Sequence, residues 1–260
     1  IVELAKNIRD KKNTSNIKNI WSKKGKEIIK NKVMPAIHDL DSLPFPDKSI
    51  FYDTIRYFKG SRYYIITSRG CPFCCSYCNS SLVKKLTGYT KVRRRSVDNV
   101  IKELDLAKKR FKIKYVSFED EVFNLDKGWL REFSDKYKKD IGLPYMCWIH
   151  PNKIDEETIR LLKSSGCKEI EIGVQTLNEK IKRDIIRRPE DKEDIIRTIR
   201  LCSRYSITIK ADNILGLPTL TKEDVWQLLK FYCDYKVDEI LIFWLRYYPK
   251  TEIINISKKK

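Results

Sequence analysis

Residues 68–79 read Ser68-Arg69-Gly70-Cys71-Pro72-Phe73-Cys74-Cys75-Ser76-Tyr77-Cys78-Asn79. Cys71, Cys75 and Cys78 form a C-x3-C-x2-C pattern. A loop with these gaps can curl around an iron–sulfur cubane and present three thiolates. Three ligands on four irons leave one iron open, whereas an electron carrier normally fills all four positions with Cys. An open iron can bind a substrate or cofactor directly. Structural zinc takes four ligands, usually as two Cys/His pairs; here there is one triplet, and the only histidines are His38 and His150. Cys74 falls inside the first gap and is read as a bystander.

An apolar run at 63–67 precedes this loop. Similar runs recur at 114–118, 145–149, 169–174, 208–215 and 239–245, each bounded by turn residues. Amphipathic stretches at 97–110, 127–139, 156–165, 190–205 and 222–235 separate them. Asp98 with Lys102 and Glu156 with Arg160 have the i,i+4 spacing of exposed helix pairs, and Gly166 stands where a helix stop is expected. Strand then helix, six times over, predicts βαβ units and a parallel sheet. The pattern fits an open doubly wound sheet or a partial barrel, and periodicity does not separate them. In both, chemistry belongs at the C-terminal ends of the strands, which is where the cysteine loop stands.

Residues 1–60 read differently. Ile1-Val2-Glu3-Leu4-Ala5 opens in mid-pattern, like the tail of a helix that begins before Ile1. A polar Lys/Asn-rich stretch follows to about residue 33, and Leu43-Pro44-Phe45-Pro46 fixes an extended connector. Residues 1–60 are therefore expected to be a linker, and residues 61–255 the core domain.

The net charge of +19 raises the question of nucleic acid. The excess is mostly scattered Lys, which reads as a solvated basic surface, and no RNA-binding motif accompanies it. Arg93-Arg94-Arg95 and Arg187-Arg188 are local clusters that can equally meet an acidic substrate. Hydrophobic residues make up 42% of the chain, enough for a sizeable core. No apolar run reaches the roughly 18–20 residues that span a bilayer. The other four cysteines, Cys147, Cys167, Cys202 and Cys233, lie singly in apolar-rich segments as small hydrophobes. One metal site in a reducing cytoplasm is expected.

The segment around Cys71, Cys75 and Cys78, with Tyr77 before the last Cys, resembles the cluster loop of the radical S-adenosylmethionine (SAM) superfamily. The resemblance extends over roughly residues 60–250. It implies an α/β fold, a partial (βα)6 TIM-like barrel preceded by an irregular linker. It also implies a [4Fe–4S] cluster on the three cysteines, with SAM on the open iron. Reductive cleavage of SAM would give a 5′-deoxyadenosyl radical that takes hydrogen from a substrate. The implied electron donor is low-potential, such as flavodoxin or ferredoxin. The 39–47 segment is similar to the connector in the branch with an N-terminal cobalamin-binding domain. That domain would precede Ile1, and methyl transfer or rearrangement assisted by cobalamin would follow from it.

Further positions carry the resemblance one at a time. Ser117-Phe118-Glu119-Asp120-Glu121 closes the second strand, where relatives hold the SAM amino group, so Glu119 and Asp120 are implied. Gln175, after Gly173-Val174, matches the residue that reaches the ribose. Arg188 stands near the basic residue for the SAM carboxylate. Gly216 in Gly216-Leu217-Pro218 matches the segment that packs on adenine, although Thr219-Leu220-Thr221 replaces the usual Gly-Glu-Thr. His150 ends the third strand and is read as structural. The competing expectations are an iron–sulfur electron-transfer or sensor module without SAM cleavage, and a nucleic-acid-binding module.

Overall fold

The computed structural model describes every residue except Lys59 and Lys260. Six strands run β1 (Arg62–Ile65), β2 (Tyr115–Phe118), β3 (Tyr145–Ile149), β4 (Cys167–Gln175), β5 (Thr208–Leu215) and β6 (Glu239–Trp244). All are parallel and pair in sequence order, β1 at one edge and β6 at the other. This order decides between the two expected architectures. A doubly wound sheet reverses its strand order at a switch point. Right-handed crossovers between strands in unbroken order put every helix on one face and curl the sheet around the other. The result is a partial barrel with its edges at β1 and β6.

The sequence explains where the helices start. Asp126, Asp155, Asp191 and Thr221 each accept a backbone N–H three residues on, ahead of α3 (Lys127–Asp140), α4 (Glu156–Ser164), α5 (Lys192–Arg204) and α6 (Lys222–Asp234). Ser96 does the same for α2 (Val97–Phe111). Short polar side chains of this kind satisfy donors that a helix leaves open. The first helix of the barrel, α1 (Asn79–Thr87), follows the cysteine loop directly and ends at Gly88 in the left-handed region. The sequence reading placed no helix there.

Strand alternation then sorts the side chains. Ile170, Ile172 and Val174 of β4 and Ile209 and Ala211 of β5 enter the layer between sheet and helices, with Leu104, Phe133 and Ile159. Their neighbours Glu169, Glu171 and Gly173, and Lys210 and Asp212, face the inside of the barrel.

Residues 1–58 carry a helix (Val2–Arg9) with no buried residue and an antiparallel hairpin (Trp21–Lys24 with Glu27–Lys30). From Leu40 onward the connector is attached to the barrel. Asp41 accepts from Ser96 N at 3.0 Å, and Arg95 lies 5.4 Å above the Phe45 ring. Lys48 Nζ reaches Glu103 at 3.1 Å, and Glu103 also meets Arg95 at 2.6 Å and Tyr63 Oη at 2.8 Å. Arg94 stacks on Trp129 at 4.4 Å and donates to the carbonyls of Val122 and Phe123. Arg94 and Arg95 are thus spent inside the fold, while Arg93 stacks on Tyr89 at 4.9 Å and borders a cavity of about 460 Å³.

Burial pushes the Glu103 carboxyl up, but Lys48 and Arg95 outweigh it and hold the group below its ordinary value of 4.5. Glu103 therefore adds stability at neutral pH that is lost as pH falls from about 4.5 through the lowered value. Urea midpoints measured from pH 7 to pH 3 should show this acid loss, and Glu103→Gln should flatten it while lowering stability at pH 7. An unchanged acid limb in the variant would show that other carboxylates dominate.

Candidate functional site

Gly70 opens the cysteine loop at φ +97°, a region that suits glycine. Ser68–Arg69 then pairs antiparallel with Arg93–Arg94. Asp120, at the end of β2, fastens the strand end: it accepts from Thr67 N at 3.1 Å, from Thr67 Oγ1 at 2.9 Å and from Ser68 Oγ. It is 1% exposed. Burial raises its carboxyl, with Arg94 and these donors opposing. Both oxygens of the expected SAM-facing Asp120 are occupied by the loop. Glu119 stays half-buried at the mouth, accepts from Ser117 Oγ at 2.7 Å, and borders cavities of about 430 and 460 Å³.

The far side of the loop is held by the chain after β4. Ser76 N donates to Ile186 O at 3.0 Å, Ser76 Oγ to Ile185 O at 2.6 Å, and Ile253 N to Ser76 O at 3.0 Å. The receiving segment, Ile181–Ile186, is a π-helical turn that the sequence reading did not foresee. Such turns often occur at functional sites. Tyr77 packs on this segment with Leu217 and Ile253.

Cys75 is buried, Cys71 and Cys78 are half-buried, and Cys74 is exposed with Lys84 Nζ 3.3 Å from its sulfur. Burial pushes the Cys71 thiol up to about 12, with Glu121, Cys75 and Cys78 adding to the rise. Burial likewise pushes Cys75 up to about 11, although Arg188 opposes it. Among the described residues no three Cys, His, Asp or Glu side chains converge on a single ion.

Arg188 is the centre of the site. Its Nε pairs with Glu190, Nη1 donates to Tyr77 Oη at 3.3 Å, and Nη2 donates to Gly173 O at 2.8 Å and lies 3.4 Å from His150 Nε2. It is no surface pair: the Arg188 and Glu190 side chains are 8% and 0% exposed. Burial works against its charge, but Tyr77, Glu190 and Cys75 raise it further above the ordinary arginine value. Arg187 points outward to Glu252 at 2.7 Å. His150 lies against Phe73 of the cysteine loop, ring centroids 3.9 Å apart. Burial and Arg188 hold it down to about 3, so it is a neutral imidazole in this cluster.

Gln175 takes φ +64°, uncommon for a non-glycine residue, and lies where β4 and β5 slip in register. Its side chain folds over Gly173, where an added Cβ would run into Gln175 Nε2. Gly216, at φ +75°, leaves room for the Trp244 ring, which a Cβ would approach to 3.3 Å. Cys75, Arg188 and Gly173, and with it Gln175, thus meet around Tyr77 and His150. Glu119 faces the neighbouring cavities, and Gly216 sits on the β5–β6 side.

The radical SAM superfamily profile matches residues 65–232. The chain belongs to the radical SAM superfamily. An uncharacterized methyltransferase of Pyrococcus horikoshii is 26% identical over 227 residues, 84% of this chain and 47% of that protein. Cytidylyl-2-hydroxyethylphosphonate methyltransferase of Streptomyces wedmorensis is 26% identical over 198 residues, 70% of this chain and 35% of that protein. The chain therefore spans less than half the length of these curated relatives. Its fold matches the radical SAM methyltransferase TsrM of Kitasatospora setae at a TM-score of 0.78. That likeness carries 22% identity over 99% of this chain and 52% of that one. It also matches the cobalamin-dependent radical SAM enzyme OxsB at 0.71, with 20% identity over 99% of this chain and 37% of that one. The partial barrel expected from the sequence is therefore the radical SAM fold, and a [4Fe–4S] cluster and SAM are the cofactors that membership implies. No helix among the described residues is long and apolar enough to cross a membrane.

Glu190 and Lys182 were missed by sequence reasoning. Glu190 was assigned to a helix, but Asp191 caps that helix and leaves Glu190 buried under Arg188. Its place two residues after Arg188 was the available signal. Lys182 is 0% exposed, and nothing in the sequence separates it from the surface lysines.

Proposed function

We propose that this chain is the catalytic core of a radical SAM methyltransferase whose [4Fe–4S] cluster rests on Cys71, Cys75 and Cys78. The observation that carries the reading is the three-thiol loop, fixed at the C-terminal end of β1 on a singly wound six-strand sheet. When bound and reduced, the cluster supplies the electron that cleaves SAM to the 5′-deoxyadenosyl radical. Tyr77 and Phe73 tie the loop to Arg188 and His150, so the thiols keep their spacing before any metal arrives. Glu119 accepts hydrogen bonds from the SAM ammonium, a charge-assisted pairing, in place of the occupied Asp120. Arg188 faces the SAM carboxylate, Gln175 the ribose and Gly216 the adenine. Methyl transfer is favoured over rearrangement by the curated relatives, two of which are named methyltransferases. Cobalamin is a cofactor of the longer protein in this reading, because OxsB is described as cobalamin-dependent. Flavodoxin or ferredoxin supplies the electron, and the oxygen-labile cluster suits the cytoplasm. Residues 1–60 serve as the linker between the cobalamin-binding domain and the core at 61–255.

Anaerobic reconstitution with iron and sulfide, followed by electron paramagnetic resonance with and without SAM, tests this. A [4Fe–4S] signal that shifts when SAM is added, with 5′-deoxyadenosine among the products, is the expected result. A cluster signal indifferent to SAM would instead support the electron-transfer or sensor module.

A further inference from the structure

The chain carries a net charge of +19, yet the inner face of its barrel is acidic along β4 to β6. Glu169 and Glu171 on β4, Asp212 on β5 and Glu239 on β6 face one cation of the sheet, Lys210. That lysine is already taken, by Glu239 at 2.8 Å and Glu169 at 3.4 Å. Glu171 and Asp212 remain without a cation of their own, although both are more than nine-tenths buried, at 7% and 8% exposure. Asp212 Oδ1 is buried and has no hydrogen-bond donor. Arg188 lies near Asp212, but its guanidinium is engaged by Glu190, Gly173 O and Tyr77.

Two buried carboxylates side by side are costly unless something positive lies between them. In the free chain that is a proton. Burial pushes Glu171 up to about 8, with Asp212 adding to the rise, and pushes Asp212 up to about 6. The pair thus holds one proton at neutral pH. On β3 the register partner of Glu171 is Trp148, half-buried on the same inner face. An indole beside a carboxylate pair is a setting that favours organic cations.

We propose that Glu171 and Asp212 form the subsite that binds a cationic nitrogen group of the substrate, an alkylammonium or a guanidinium. The inference rests on the barrel being the substrate chamber of the proposed reaction. Binding replaces the shared proton, which leaves to solvent. The groups facing the pair are Lys210 and Glu169 from below, Arg188 from above and Glu239 across β5. Of these, the lysine and the arginine stay charged through the neutral range.

The test is anaerobic calorimetric titration of the cluster-reconstituted chain with agmatine, which carries both cationic groups. Sodium chloride at equal ionic strength and butyrate are the controls. Saturable binding with proton release at pH 7 is expected, weakening by up to tenfold per pH unit below pH 8 as the pair refills. Glu171→Gln and Asp212→Asn should each weaken it at least tenfold, with circular dichroism confirming the fold; if either fails to fold, the other carries the test. No agmatine binding, or binding unchanged in the folded variants, overturns the inference. The SAM-dependent resonance change separates the two ideas. If it persists while agmatine does not bind, the subsite fails alone; if it is absent while agmatine binds, the pair stands as a cation site and the SAM-dependent reaction is what fails.

Discussion

Cys75→Ala should abolish the iron–sulfur signal and, with it, formation of 5′-deoxyadenosine. Outer-shell changes at metal sites typically cost about 10–100-fold; loss of a thiolate from a three-ligand cubane should exceed that. Cys75 is the most enclosed of the three, at 7% exposure, and the thiol that Arg188 faces. Its carbonyl accepts from Cys78 N at 3.2 Å and Ser81 Oγ at 2.9 Å. Those bonds belong to the backbone and survive in alanine, so the loop should keep its course and the defect should be in metal binding. Cys74→Ala is the matched control. Its thiol is exposed beside Lys84, and the variant should reconstitute like the parent. Iron content, visible absorbance and resonance spectra of both variants decide the ligand register. Retention in Cys75→Ala with loss in Cys74→Ala would move the cluster onto the wrong-looking cysteine and overturn the spacing argument.

The six strands were legible because each is an apolar run of strand length closed by turn residues, a signal local to the run. The expected run at 145–149 coincides with β3, and the expected 208–215 with β5. Four helix starts, at 97, 127, 156 and 222, fell where the apolar pattern put them, while the start expected at 190 lies at Lys192 behind the Asp191 cap and the helix at Asn79–Thr87 was not foreseen. What was not legible depends on partners far along the chain. Nothing near Asp120 shows that its carboxylate will close on Thr67 and Ser68, 53 and 52 residues earlier. Arg94 and Arg95 read as surface charge until β1, α2 and Trp129 are folded around them. The choice between a doubly wound sheet and a partial barrel lay in strand order, which is a property of pairing and leaves no mark on any single strand. The cysteine triplet stands out in the sequence because its three thiols fall within eight residues. The Glu171–Asp212 pair does not, because two strands from different parts of the chain must meet in register to form it.

Arg188→Met should destabilise the domain by about 3–5 kcal/mol, the range found when one partner of a buried ion pair is removed. Glu190 has no exposed side-chain surface and would lose its guanidinium partner, leaving the neutral His150 Nε2 at 3.4 Å and the buried Lys182 ammonium nearby. Gly173 O and Tyr77 Oη would lose their guanidinium contacts as well. Combining the change with Glu190→Leu removes the stranded charge. Replacing both members of a buried pair with apolar groups is often neutral or stabilising, so the double variant should recover most of the loss in urea denaturation. This separates two roles that the single variant would confuse. Arg188 joins the cysteine loop, β4 and His150, and it is also the residue assigned to the SAM carboxylate. In the double variant stability returns but the guanidinium does not. If Arg188 contacts SAM, the cluster should assemble in that variant while the SAM-induced change in its resonance spectrum weakens sharply. A double variant with parental stability and an undiminished SAM response would make Arg188 a structural clamp only.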